Sequence, residues 1–346
     1  MKNPMTPSPR AKALLVALAS LGIIAATASA QTVSWLPAGS GDWNVGTNWS
    51  GGSVPTAADD ARINQGEAVL SGTGLASEIQ IDLSGGGGSV RLESGAALDV
   101  GTNLDLYESG TFVQNGGITN VGNFVRFRAP GTSLTISDGT FTSTDKVYVA
   151  LAGTTDKSQT LTVDGGTFVS NSNLVLARNG TSGVLEVSGG SVDINGFISI
   201  EGTSSNLGEV RVNGSAASSI DISVDILAGT LDTMAFSLDS GGITPITLGD
   251  DAFLSGVGFE FDTIAGFSAS IGDTFELIDA VDGVVIDASP TVTNLGGYTF
   301  DVSTVPDGAG TDLIATVTAI PEPASGGLAL GLGGIALALL SRRRRS

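Results

Sequence analysis

The middle of the chain alternates apolar and polar positions in short runs, and each run closes on glycine. Six segments share the form apolar-x-apolar, a short polar link, then glycine. They are Val90-Arg-Leu-Glu-Ser-Gly95, Phe112-Val-Gln-Asn-Gly-Gly117, Leu134-Thr-Ile-Ser-Asp-Gly139, Leu161-Thr-Val-Asp-Gly-Gly166, Leu185-Glu-Val-Ser-Gly-Gly190 and Val210-Arg-Val-Asn-Gly214. The closing glycines are spaced by 22, 22, 27, 24 and 24 residues. A second short strand follows the glycine, as in Thr140-Phe-Thr142 and Ser191-Val-Asp-Ile194. A third follows that, as in Phe124-Val-Arg-Phe127, Val147-Tyr-Val149, Leu174-Val-Leu176 and Phe197-Ile-Ser-Ile200. Period-two alternation sends every other side chain inward, and the inward set is Leu, Val, Ile and Phe. Three strands and three turns per 22–27 residues describe one coil of a parallel β-helix. The pattern therefore predicts an all-β fold, a single-stranded parallel β-helix of about six coils over residues 90–242. Glycine interrupts every candidate helical stretch, which argues against an α-helical body. The longest interval contains Gly153-Thr-Thr-Asp-Lys-Ser158, which reads as a longer loop.

The flanks read differently. Residues 31–89 hold all three tryptophans, Trp35, Trp43 and Trp49, and read as an N-terminal cap with the first coil. Two uses of the rings fit: an aromatic plug over the open first coil, or a stacking platform for a sugar. Residues 243–319 lose the repeat and carry alternating runs such as Tyr298-Thr-Phe-Asp-Val302, with turns at Asp282-Gly283 and Asp307-Gly308. They predict a small antiparallel β-module that closes the last coil.

Both ends read as addresses rather than as fold. Lys2, Arg10 and Lys12 precede the apolar run 13–26, and Ala28-Ser29-Ala30 forms an A-x-A site that would leave Gln31 as the new N-terminus. Residues 1–30 are thus expected to be a secretory signal peptide. At the other end, residues 324–340 are uncharged and as a helix would span about 26 Å. Arg342, Arg343, Arg344 and Arg345 follow, an anchor expected to stay cytoplasmic. Pro321-Glu322-Pro323 stands just before the apolar run and keeps the chain extended there.

This tripartite end, residues 320–346, resembles the PEP-CTERM sorting signal of Gram-negative bacteria. The resemblance implies recognition by an exosortase-type processing protease, cleavage near the tripeptide, and a transient stay in the inner membrane. It further implies delivery to the cell surface or the exopolysaccharide matrix. The run from Trp35 through Asn48-Trp49 and Pro55 to Asp60-Ala-Arg-Ile63 is similar to the N-terminal segment of autotransporter-like secreted β-helix proteins. Gly272-Asp-Thr-Phe-Glu-Leu-Ile278 followed by paired strands resembles the ending of many sorted surface proteins.

Composition narrows the chemistry. The 346 residues include 50 glycines and neither Cys nor His. That excludes a thiolate nucleophile, a disulfide, a Ser–His–Asp triad and His- or Cys-based metal sites. Residues 31–320 carry 8 basic and 34 acidic side chains, 8 − 34 = −26, which disfavours nucleic acid as a partner. A carbohydrate-active β-helix would need projecting carboxylates. Asp138 and Asp164 are the candidates, at equivalent positions that could stack on one corner, but a ladder of Asp, Asn and Ser beside Gly is ordinary turn chemistry, and that reading is preferred. Asp59-Asp60 and Asp250-Asp251 lack EF-hand spacing. No cofactor or metal site is expected; calcium is the one cation an acidic body leaves open. The expected function is an exported, non-catalytic structural or adhesive protein. The alternative is a polysaccharide-binding protein or a β-helix lyase or hydrolase.

Overall fold

A computed structural model describes residues 31–151, 159–178, 181–200, 207–227, 232–287, 289–308 and 310–321. The fold is a parallel β-solenoid with three strands to a turn, and among the described residues the one helical element is a 3-10 turn at Gly46–Asn48. Each turn contributes a strand to face A, then face B, then face C, and each strand pairs in parallel with its counterpart one turn later. Eight three-strand turns run between Glu78 and Ala280, preceded by a shorter turn over 60–76.

The inward ladder on face B shows why these residues stack. Register carries Ala68 onto Val90, then Phe112, Leu134, Leu161, Leu185, Val210, Met234, Phe259 and Val292. All but the last are buried. Face C stacks Phe141 on Phe168, then Val192 and Ile220. The Phe141 and Phe168 rings lie 6.1 Å apart and nearly parallel. Each buried Leu or Phe contributes about 1.5–3 kcal/mol by leaving water, so a turn is stable only beside its neighbours.

The corner between faces B and C is made by the repeat glycines. Gly139 sits at φ +80, and a Cβ there would fall 2.1 Å from the carbonyl oxygen of Gly117 one turn earlier. Gly190 repeats this against Gly166 at 2.3 Å. Glycine is thus required twice over, by the left-handed conformation and by the packed backbone of the preceding corner.

The solenoid is longer than the six coils the repeat predicts. At the front, Thr32–Ser34 and Ser40–Asp42 already pair in parallel with Asp60–Leu70. At the back, the expected antiparallel module is mostly more solenoid. Ile246–Leu248, Asp251–Phe253, Gly258–Thr263, Gly283–Val285 and Thr291–Asn294 all continue the parallel ladders. Among the described residues of this stretch, antiparallel strand pairing is confined to the hairpin of Thr299–Asp307 and Gly310–Ala319 and its docking on Thr274–Ala280. The period is stretched here: Phe259 pairs with Val292, 33 residues on, because 264–273 is inserted before face C.

Both ends of the core are closed by rings. Trp49 packs edge-on against Trp35 and Trp43, with centroids at 5.0 and 4.8 Å. At the other end Phe236, Phe261 and Phe300 stack at 5.9 and 4.9 Å, flanked by Phe267 and Tyr298. Residues 1–30 and 322–346 lie outside the described residues, and with them the expected signal peptide, transmembrane helix and arginine anchor. Among the described residues no helix is long and apolar enough to cross a membrane.

Candidate functional site

The tryptophans are plug, not platform. Trp35, Trp43 and Trp49 are 3%, 0% and 1% exposed, and Trp49 Nε1 donates to the Trp43 carbonyl at 2.7 Å. The rings spend their faces on one another, which leaves none for a sugar. The segment folds this way because the 43–50 loop returns across the end of the first strands, with Ser50 N donating to the Ser34 carbonyl.

Asp138 and Asp164 do not stack on each other. Ile136 pairs with Val163 and Thr140 with Thr167, so Asp138 is the second residue of its corner and Asp164 the first. Their register partners are Asn115 and Gly189. Asp138 accepts from the Gly139 N–H at 2.7 Å, an ordinary use of Asp in a turn. Asp59 likewise caps its own turn, accepting from Thr56 N and Oγ1, and these bonds hold its carboxyl below the usual range. Of the sorting tripeptide only Pro321 is described. It is exposed, two residues beyond the end of the last strand, and lies over Gly297. Glu322, Pro323, Ala28 and Ala30 lie outside the described residues.

Two surfaces emerge that the sequence did not single out. The first is acidic. Asp279, Asp307 and Asp312 bring carboxylate oxygens within 4.8 Å of one another, the one such group of three among the described residues. Asp312 is 5% exposed, and Ala280 N reaches its Oδ1 at 3.4 Å. Burial first, then the charges of Asp307 and Asp279, push the Asp312 carboxyl up. Glu276 is raised by burial and by the same three aspartates. Asp250 is raised by its hydrogen bond with Asp282, then by burial and by Asp225. All-oxygen donor sets of this kind match hard cations such as calcium. The group is invisible in sequence because the terminal hairpin reverses the chain to bring positions 307 and 312 back to 279.

The second surface lies on the outside of face A and is cationic. Register stacks Asp105, Arg126 and Tyr148 on successive turns. Asp105, 1% exposed, receives Arg126 through Nε and Nη2 at 2.5 and 2.8 Å, and Arg128 Nε at 3.2 Å. Three guanidiniums lie over rings: Arg126 over Phe124 at 5.8 Å, Arg128 over Tyr107 at 5.4 Å and Arg178 over Tyr148 at 5.5 Å. Phe124 and Tyr148 are themselves 6.0 Å apart. Burial, then Asp105, pushes the Tyr107 hydroxyl up, so it stays a proton donor. These rings and arginines are half-buried. No known protein family and no curated protein matches the chain.

Proposed function

We propose that the chain is an exported, non-catalytic structural or adhesive protein, sorted through Pro321-Glu322-Pro323 to the cell surface or exopolysaccharide matrix. The observation that carries this reading is where the last described strand ends. A solenoid closed at both ends finishes on the strand Gly310–Ala319, and the tripeptide begins two residues later. Pro321 is exposed, and the two prolines of the tripeptide disfavour helix there, which suits access by a processing protease. The signal-like residues 1–30 and the apolar, arginine-terminated residues 324–345 support the same route.

Intact mass and fractionation of the protein from its own cells test it. A chain that starts at Gln31, ends near Pro321 and is recovered in the outer surface or matrix fits the proposal. A full-length C-terminus held in the inner membrane refutes the sorting step. The polysaccharide-binding alternative has one observation in its favour, the cationic aromatic surface of face A. Its enzymatic form predicts glycan cleavage that Asp138→Ala or Asp164→Ala would lower; in our reading neither substitution changes anything.

A further inference from the structure

The end of the solenoid where the chain leaves it carries an apolar patch that the core does not use. Ile264, Ile271, Leu295 and Ile320 are all exposed. Backbone contacts gather them at the corner between faces B and C of the last turns. Gly272 N, next to Ile271, donates to the Val317 carbonyl, three residues before Ile320. Leu295 N donates to the Phe261 carbonyl, and the Thr263 hydroxyl, next to Ile264, donates to the Gly296 carbonyl at 3.3 Å. Pro321 in turn lies over Gly297. Half-buried Tyr298 belongs to the same corner, its ring centroid 4.9 Å from that of Phe267.

We propose that this patch rests on a lipid surface while the chain is still anchored. The inference depends on the sorting reading, in which residues 324–340 span the inner membrane. Only Glu322 and Pro323 separate Pro321 from that apolar run. Three residue steps reach at most about 11 Å, so Pro321 and its neighbours cannot stand far above the headgroups. As a helix the run spans about 26 Å, short of a hydrocarbon core of about 30 Å, and the shortfall draws the body down. A tyrosine among exposed apolar side chains suits that depth, because its ring is amphipathic. The acid of the last turns keeps the contact small: residues 212–321 hold sixteen carboxylates and no Lys or Arg, and charges of that kind stay in water. A second apolar row, Leu227, Phe253 and Val285, is stacked on face A and also exposed. Face A does not border the exit corner, so that row is the control.

The chain has no cysteine, so a single introduced one can carry a bimane label. The sites are Ile271→Cys and Leu295→Cys, 65% and 57% exposed and so replaceable without opening the core, with Phe253→Cys as the control. The chain as exported, Gln31 to Ser346, is reconstituted with phosphatidylcholine vesicles, with or without nitroxide-labelled lipid, and floated on a density gradient. In floated vesicles, nitroxide lipid is expected to quench both corner labels several-fold more than the control. Aqueous iodide is expected to show the reverse order.

Three results overturn the proposal. Equal iodide access at all three sites would mean that the rod stands clear of the bilayer. Corner labels shielded from iodide yet untouched by nitroxide lipid would mean that protein covers the patch, either residues 324–340 folded back or a second copy. Protein that does not float would remove the membrane span, and the sorting reading with it. The first two results leave that reading intact, so the two failures are told apart.

Discussion

The first turns and the last turns of the solenoid share one backbone plan and differ in whether their carboxylates find cations. Up to Arg211, carboxylates meet arginines: Glu67 with Arg91, Asp105 with Arg126 and Arg128, and Glu186 and Glu209 with Arg211. Residues 212–321 contain sixteen Asp or Glu and not one Lys or Arg. Arg91 pulls the Glu67 carboxyl down, through its hydrogen bond first. Glu276 and Asp312 go up, through burial first. Yet the parallel ladders cross this divide without interruption. Stacking is therefore set by the apolar interior and the glycine corners, while surface charge varies freely around them.

The shared element is the place to break both halves at once. Gly139→Val puts a branched side chain at φ +80 against the Gly117 carbonyl, and more than about 4 kcal/mol of stability is expected to go, read by denaturant unfolding. A milder break separates the ends. Trp49→Ala is expected to cost about 3–5 kcal/mol, with faster amide exchange confined to the first turns. Phe300→Ala is expected to cost less, because its neighbours Phe267 and Tyr298 are only partly buried and can close over the gap.

Acid sharpens the comparison further. The folded pKa of Glu67 lies below its unfolded value of 4.5, so its contribution is full above that value and is lost as pH falls through the folded pKa. Glu276 and Asp312 have folded pKa values above 4.5 and 3.8, so they destabilise the fold at neutral pH. That penalty is relieved as pH drops through the folded values toward the unfolded ones. Mild acidification is expected to slow exchange in the last turns, and stronger acid to speed it around Glu67. The smallest expected effect is Glu276→Gln, a slight rise in melting temperature at pH 7 that vanishes at low pH.

The repeat was legible in sequence wherever the corner glycine and the flanking apolar pairs recur, from Val90 to Gly214. The later turns were not, because the inserted residues 264–273 stretch the period and the strands remain while the punctuation disappears. The tryptophan plug was readable as one of two options, and only the ring contacts decide between them. Asp138 and Asp164 misled because glycine spacing is a poor ruler: counting from Phe141 and Phe168 places them one residue out of step. The face A rings and arginines escaped notice because Arg128 comes over Tyr107, and Arg178 over Tyr148, only through the register of turns of unequal length. Asp279, Asp307 and Asp312 escaped because a reversal of chain direction assembles them.

The stacked glycines have a further effect on what the rod can carry. Because that corner admits no extra atoms, the gap between faces B and C stays at three residues where the stack is tightest, from Ile136 to Thr140 and from Val163 to Thr167. The gap between faces A and B is free to vary, from Phe127 to Ser133 in one turn and from Tyr148 to Gln159 in the next. Residues 264–273 enter between faces B and C, where the tight glycine corner is lost, whereas in the turns from Thr111 to Ile194 added sequence is steered to the edge between faces A and B. Segments grafted there on different turns would be shown side by side in a row, at spacings fixed by the ladder, with the core beneath undisturbed.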